Sequence, residues 1–213
     1  MTNYVKFAVL TKSKKWHGLC VSGINIDNGQ FVRLVSDDQE NHGTIYEWDF
    51  KYSNGRSIEC LDIVKAAVLG HDGAQLQPEN LLVDKTKTIE FVDHATIEEV
   101  ISMHHCDIVD KIFANDAEYI DHEDWEKSNF GRSLLLLQVS NLKVFINSYG
   151  KTKANFIYEG EEYKNYSVTD FKYMDKELNI NRAYLVVSVG VGFTHMITNK
   201  NVHYKLIAAI YPC

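Results

Sequence analysis

The chain has 213 residues, 45% of them hydrophobic and 24% charged, a composition typical of a folded globular protein rather than a disordered one. Its length suits one large domain or two small ones. The formal net charge of −7 argues at first against nucleic acid as a partner, because phosphates attract an excess of lysine and arginine.

The acidic residues are unevenly distributed along the chain. Residues 90–126 hold 12 of the 29 acidic residues and a single base, Lys111. Subtracting this segment from the totals leaves 21 bases and 17 acids, so the flanking parts are mildly basic. The charge pattern therefore permits a nucleic-acid partner without identifying one.

The termini and cysteines indicate the compartment. Residues 1–6 lack the basic head and long apolar run of a secretory signal, and no apolar stretch approaches the roughly 20 residues that span a bilayer. The cysteines at positions 20, 60, 106 and 213 form no C-x-x-C pair, which disfavours a zinc ribbon or a thioredoxin-type site. We expect a cytoplasmic protein with no membrane segment and no cofactor.

The first third of the chain predicts β-strands, at residues 4–10, 18–26, 30–35, 61–69 and 81–83. Asn28-Gly29 separates the second and third strands and is a strong hairpin signal, because both residues tolerate positive φ. Gln77-Pro78-Glu79-Asn80 predicts a turn.

The pattern changes near residue 94. Thr96-Ile97-Glu98-Glu99 has the spacing of a capping box, and apolar residues then recur every three or four positions as far as Phe113. One bent helix or two short ones would fit this spacing, and residues 116–129 are too polar for a core. We expect residues 94–129 to form an acidic helical connector, which could be a spacer, a surface for a protein partner, or a mimic of a nucleic-acid strand that occludes the binding site.

Short strands return at residues 134–139, 142–146, 154–158, 163–168, 183–189 and 202–211. Two runs of such strands, each about 85 residues long, favour two small barrels or sandwiches. The predicted class is mainly β with a helical connector: a first small β domain in residues 1–93, the connector in residues 94–129, and a second small β domain in residues 130–213.

Several fragments resemble the bacterial dual OB-containing domain family. They are residues 14–24, 31–35, 60–64, 77–80, 168–170 and 203–211, so the likeness covers nearly the whole chain outside the acidic segment. Leu34 departs from the pattern, since relatives are expected to have proline after the arginine. The resemblance implies that residues 1–93 form a first OB-like barrel and residues 130–213 a second OB-like barrel, and, by analogy with such barrels elsewhere, nucleic-acid binding.

The leading candidate site lies near the start of the chain. Cations neutralise phosphate and an exposed aromatic ring stacks on bases, and both occur at Lys12, Lys14, Lys15, Trp16 and His17, with Arg33 on the neighbouring strand pair. Arg33 could stack on a base or form paired hydrogen bonds with phosphate. The same residues would also fit a solvated basic loop whose tryptophan folds back onto the core.

A second candidate surface mixes cations with aromatic residues: Lys151, Lys153, Phe156, Tyr158, Tyr163 and Tyr166. Phe156 and Tyr158 are two apart on a strand and share one face. That face is either a stacking platform for bases or the interior of the barrel, with Asn155 and Ile157 outside.

Other chemistry has weaker support in the sequence. His104, His105, Cys106 and His122 suggest a metal, but adjacent helical residues point about 100° apart and no i, i+4 ligand pair accompanies them. Gly190-Val191-Gly192 lacks the third glycine of a dinucleotide loop, and no nucleophile or phosphate-loop motif appears.

The sequence thus favours a non-catalytic module that binds single-stranded or structured DNA or RNA. The alternative is a protein-interaction or nucleotide-sensing subunit of a larger bacterial complex, such as a defence system. A nuclease or transferase subunit is a third and weaker alternative.

Overall fold

A computed structural model describes residues 3–38, 40–128, 130–195 and 198–213. The chain divides into two compact units, residues 1–105 and 106–213. Each unit is built mainly of strands, as predicted.

The first unit is a closed barrel of five strands. Its elements are β1 (Asn3–Lys15), β2 (Gly18–Asn25), β3 (Phe31–Val35), β4 (Asp62–His71), β5 (Asn80–Val83), β6 (Glu90–His94) and α1 (Ile97–Met103). The strands pair in the order β3-β2-β1-β4-β5, and pairing of β3 with β5 closes the circuit. The β3–β5 pair is parallel, and β6 adds to the first half of β4.

Local sequence explains much of this barrel. Gly29 has φ of +69°, and the β2–β3 pair is antiparallel on either side of the turn, which confirms the predicted hairpin. A Cβ at Gly23 would come within 1.9 Å of the Ala8 carbonyl oxygen, so only glycine lets β2 lie this close to β1. The core contains Phe7, Val21 and Val64, all fully buried.

The second unit repeats this circuit. Its elements are a 3-10 helix (Ile112–Ala114), β7 (Tyr119–Asp121), α2 (His122–Ser128), β8 (Leu134–Ile146), β9 (Thr152–Tyr158), β10 (Glu161–Val168), β11 (Leu178–Val189), β12 (Phe193–Thr194) and β13 (Asn201–Pro212). The order is β10-β9-β8-β11-β13, and a parallel β10–β13 pair closes it. Strands β8, β9, β10, β11 and β13 thus correspond to β1 to β5. The prediction of two OB-like barrels is confirmed.

The predicted helical connector needs correction. The capping box at Thr96 is present, but α1 ends at Met103, and the chain then runs without helix to residue 111. The carboxylate of Asp107 accepts a hydrogen bond from the Leu136 amide at 2.8 Å, and this tertiary contact overrides the helical spacing. Residues 94–129 are divided between the units, since α1 lies in the first unit while β7 and α2 lie in the second.

A buried lysine in the second barrel makes stability depend on pH. Lys205 is fully buried and donates to the backbone and side-chain oxygens of Asn115, at 2.7 and 2.6 Å. Burial lowers the pKa of Lys205 from 10.5 to about 7. The unfolded chain therefore binds more protons between these values, so the cost of burying the ammonium is full below pH 7 and fades as pH rises toward 10.5.

We expect Lys205→Met to stabilise the protein most in mild acid, by about 1–4 kcal/mol if it behaves like other buried charges replaced by apolar residues. The advantage should shrink as the pH rises, because the natural side chain becomes neutral. Urea denaturation of both chains at about pH 6 and about pH 9.5 measures the difference. An advantage that is equal at both pH values would contradict this assignment of the pKa.

Candidate nucleic-acid interface

The turn between β1 and β2 holds Trp16 in an unfavourable backbone conformation. The strands pair as far as Lys15 and Gly18, so only Trp16 and His17 form the turn. The φ of Trp16 is +48°, a left-handed conformation that costs a residue with a side chain about 1–2 kcal/mol. Asparagine or glycine would fit this backbone conformation better than tryptophan does.

The Trp16 ring is exposed, so it does not fold back onto the core. Its side chain is 57% exposed, and its ring stacks on His42 at 4.7 Å between centroids. The ring is thus held in place by one neighbour while more than half of its surface stays in contact with solvent. An ordered, exposed ring is the type of surface on which nucleic-acid bases stack.

The lysines beside Trp16 differ in their environments. Lys14 and His17 are exposed, whereas Lys15 is half-buried. Burial is the main cause that lowers the pKa of Lys15, and the charge of Arg33 lowers it further. Lys12 donates to the Ile58 carbonyl oxygen and pairs with Glu59 at 3.3 Å, so its charge is already matched within the protein. We call residues 14–17 the first hairpin, and Lys14 is its most accessible cation.

Arg33 was predicted to contact the ligand, and the structure corrects this. Its side chain is 2% exposed and pairs with Glu79 at 3.2 Å, and it also donates to Asn80 at 3.3 Å. The parallel β3–β5 pairing brings these partners together, since Arg33 lies opposite Asn80 in the register. Arg33 therefore holds the barrel closed and is not accessible for base or phosphate contacts.

The aromatic residues of the second candidate surface lie inside the barrel. Phe156, Tyr158, Tyr163 and Tyr166 are all at least 98% buried and their rings contact one another. The Tyr158 hydroxyl donates to the Asp107 carbonyl oxygen at 3.1 Å. Tyr158 is therefore a core residue, and the alternative with Asn155 and Ile157 on the outer side of β9 is the right one.

The two lysines predicted beside this surface have separate environments. Lys153 pairs with Glu118 at 2.6 Å and donates to the Asn165 carbonyl oxygen at 2.9 Å. Lys151 is exposed in the turn between β8 and β9. Of the pair, Lys151 is the cation that faces solvent.

That same turn contains an exposed aromatic residue that the sequence analysis missed. Tyr149 is 85% exposed. The Asn147 side chain accepts hydrogen bonds from the amides of Tyr149 and Lys151, at 3.0 and 2.9 Å, and Gly150 has φ of +68°. We call residues 147–151 the second hairpin. Asn147 and Gly150 mark it as a turn, but a single tyrosine in a turn has no periodic pattern that would indicate exposure.

The two hairpins occupy the same topological position. The first joins β1 to β2, and the second joins β8 to β9, which are the corresponding strands of the second barrel. Each presents an exposed aromatic ring beside an exposed lysine. The two hairpins have no sequence in common, so only the topology reveals their equivalence.

The fragments that carry the family resemblance have structural roles around the barrel closures. In the first barrel, Arg33 pairs with Glu79, and the buried carboxylate of Asp62 accepts from the Tyr52 hydroxyl at 2.6 Å. In the second barrel, the Ile210 amide donates to Asp170 at 2.9 Å beside the β10–β13 pair. Burial raises the pKa of Asp170.

A family model described as a dual OB-containing domain matches residues 5–210, nearly the whole chain. The chain belongs to the dual OB-containing domain family. No curated protein and no solved structure matches it. OB barrels elsewhere bind oligonucleotides and oligosaccharides on the face of their second and third strands and with the loops that join strands 1–2 and 4–5. In this dual OB protein, each hairpin is the loop that joins strands 1 and 2 of its barrel.

The histidines considered as metal ligands have other partners. His104 lies just after α1, with Nδ1 2.7 Å from the Gly29 carbonyl oxygen, and His122 Nδ1 lies 2.9 Å from His203 Nε2. Within the described ranges, no group of three His, Cys, Asp or Glu side chains is placed to hold a metal ion. Within the same ranges, no helix has the length and apolar character to cross a membrane.

Proposed function

We propose that this dual OB protein is a non-catalytic module that binds single-stranded DNA or RNA in the cytoplasm. The observation that carries the proposal is the exposed, strained Trp16 on the β1–β2 turn, next to Lys14. Bases would stack on Trp16, and the lysine would neutralise a phosphate. Single strands are favoured over a duplex because their bases are free to stack on an aromatic ring.

The second hairpin supports the same function. Tyr149 and Lys151 repeat the combination of ring and cation at the corresponding turn of the second barrel. Each barrel therefore has its own exposed ring and cation at the turn between its first two strands. The proposed contacts are therefore Lys14, Lys15, Trp16 and His17 in the first barrel and Tyr149 and Lys151 in the second.

Binding to a panel of single-stranded and duplex DNA and RNA, at about 50 mM and about 200 mM salt, tests this function. We expect the single strands to bind most tightly and affinity to fall as salt rises. The variant Lys14→Glu with Lys15→Glu should weaken binding and reduce the slope of log affinity against log salt by about 0.7 for each phosphate that the protein no longer neutralises.

A matched control separates this local effect from net charge. Lys6→Glu with Lys164→Glu makes the same change in charge at two exposed positions outside both hairpins. This control should keep most of the affinity. Equal reductions in both variants, or an affinity that ignores salt, would exclude the first hairpin as the interface. A protein partner captured without any oligonucleotide binding would favour the interaction-module alternative.

A further inference from the structure

The first barrel contains a cavity that the hairpin interface does not use. Its volume is about 300 Å³, and it lies between the β3–β4 connection and the β5–β6 turn. Its floor is apolar, formed in part by Leu34, Ile45 and Ile89, which are at least 95% buried. Small-molecule sites typically have volumes from about 300 Å³ upward and a largely apolar lining with a few polar groups.

One wall of the cavity is an ordered aromatic ring. Trp48 is 63% exposed and stacks on Tyr46 at 4.5 Å with an angle of 6° between the rings. The Tyr46 hydroxyl donates to the Asp38 carboxylate at 2.8 Å, and the Asn41 side chain donates to the same oxygen, also at 2.8 Å. Tyr46 is thus fixed, and it holds Trp48 in a defined position at the cavity.

The rim of the cavity is cationic. Lys51, Lys85 and Lys87 line it together with a single carboxylate, that of Asp49. Lys85 pairs with Asp37 at 2.8 Å, so its charge is partly matched. Lys51 and Lys87 are exposed, and no ion pair is formed by either within the described part of the chain. Lys87 lies close enough to Asp84 to help lower the pKa of that carboxyl, so its charge is partly matched. The two lysines come from different segments, one before and one after β4 and β5, and both are exposed at the rim.

We propose that this cavity is a nucleotide site, with the base between Trp48 and the apolar floor and the phosphate at Lys51 and Lys87. An aromatic wall, an apolar floor and a cationic rim together match a flat ring attached to an anion. The nucleotide could be a free mononucleotide or the phosphorylated end of a strand, because both present the same chemistry. The site shares no residue with the first hairpin, so either site can fail while the other stands.

Calorimetric titration of the full chain with AMP and with UMP tests the free-nucleotide source, with adenosine and inorganic phosphate as partial ligands. We expect saturable binding of at least one mononucleotide and at least tenfold weaker binding of either partial ligand. Lys51→Glu with Lys87→Glu should reduce affinity at least tenfold, and Trp48→Ala by about 5-fold to 150-fold, the equivalent of one stacked base. Lys6→Glu with Lys164→Glu, at exposed positions outside the cavity and both hairpins, is the control and should leave mononucleotide binding unchanged.

Competition between short strands with a 5′-phosphate or a 5′-hydroxyl tests the strand-end source. A preference for the phosphorylated strand that disappears in the Lys51→Glu, Lys87→Glu variant supports the site even if free mononucleotides do not bind. Circular dichroism melting of each variant verifies that the barrel is folded. The proposal is overturned if no mononucleotide binds and 5′-phosphorylated strands are not preferred. It is also overturned if the binding is unchanged in folded Lys51→Glu, Lys87→Glu and Trp48→Ala variants.

Discussion

Arg33→Ala is expected to reduce the free energy of unfolding of the first barrel by about 3–5 kcal/mol, because it leaves a buried carboxylate without its cation. The side chains of Arg33 and Glu79 are 2% and 4% exposed. Their ion pair links β3 to the start of β5, the two strands whose pairing closes the barrel. Urea denaturation of the full chain, followed by tryptophan fluorescence, measures the reduction.

Two further variants distinguish the ion pair from simple packing. Arg33→Met combined with Glu79→Leu removes both charges and should cost less than Arg33→Ala alone, because no uncompensated charge remains. Lys14→Ala, at an exposed position, should change stability by no more than about 0.5 kcal/mol. A reduction below about 1 kcal/mol for Arg33→Ala would mean that the pair does not hold the closure.

Trp16→Asn should weaken single-strand binding by about 5-fold to 150-fold, which corresponds to the removal of one stacked base worth about 1–3 kcal/mol. The same substitution should leave the thermal stability unchanged or raise it, since asparagine tolerates the left-handed φ of +48° better than tryptophan does. Fluorescence anisotropy with a labelled oligonucleotide and a thermal melt measure the two effects.

The combination of these two results separates a binding residue from a structural one. Substitution of a structural tryptophan would lower stability and affinity together, whereas substitution of a binding residue lowers affinity alone. Tyr149→Ala makes the same comparison in the second hairpin, where it should reduce affinity without lowering stability because the side chain is 85% exposed. If Trp16→Asn binds as tightly as the natural chain, Trp16 is not a stacking residue.

Local signals in the sequence were sufficient for the class of fold and several of its turns. The hairpin at Asn28-Gly29 and the capping box at Thr96 depend on residues close together in the chain, and both are present. The helical spacing beyond residue 103 was misleading. Ile108 is 83% exposed, and the carboxylate of Asp107 accepts a hydrogen bond from the amide of Leu136. These two residues are far apart in the chain, so local sequence patterns could not predict the contact.

The sequence could not decide which of the candidate side chains are exposed, because their exposure depends on how the barrel closes. Strand periodicity places Phe156 and Tyr158 on one face of β9, but only barrel closure decides that this face is the inner one. Arg33 is buried because β3 pairs in parallel with a strand 47 residues away. Trp16 is exposed because the pairing of β1 with β2 leaves it in a two-residue turn. The neighbouring lysines are the only feature of the local sequence that indicates this turn.

The indole resonances of the chain offer the most direct test of the central claim. The sequence has three tryptophans, of which Trp16 is 57% exposed on the first hairpin, Trp48 lies at the cavity, and Trp125 is 3% exposed. Titration of ¹⁵N-labelled protein with a single strand that carries a 5′-hydroxyl should shift the Trp16 indole signal by the largest amount and leave that of Trp125 in place. A complex that forms while the Trp16 signal stays unmoved would contradict the assignment of the first hairpin as the nucleic-acid interface.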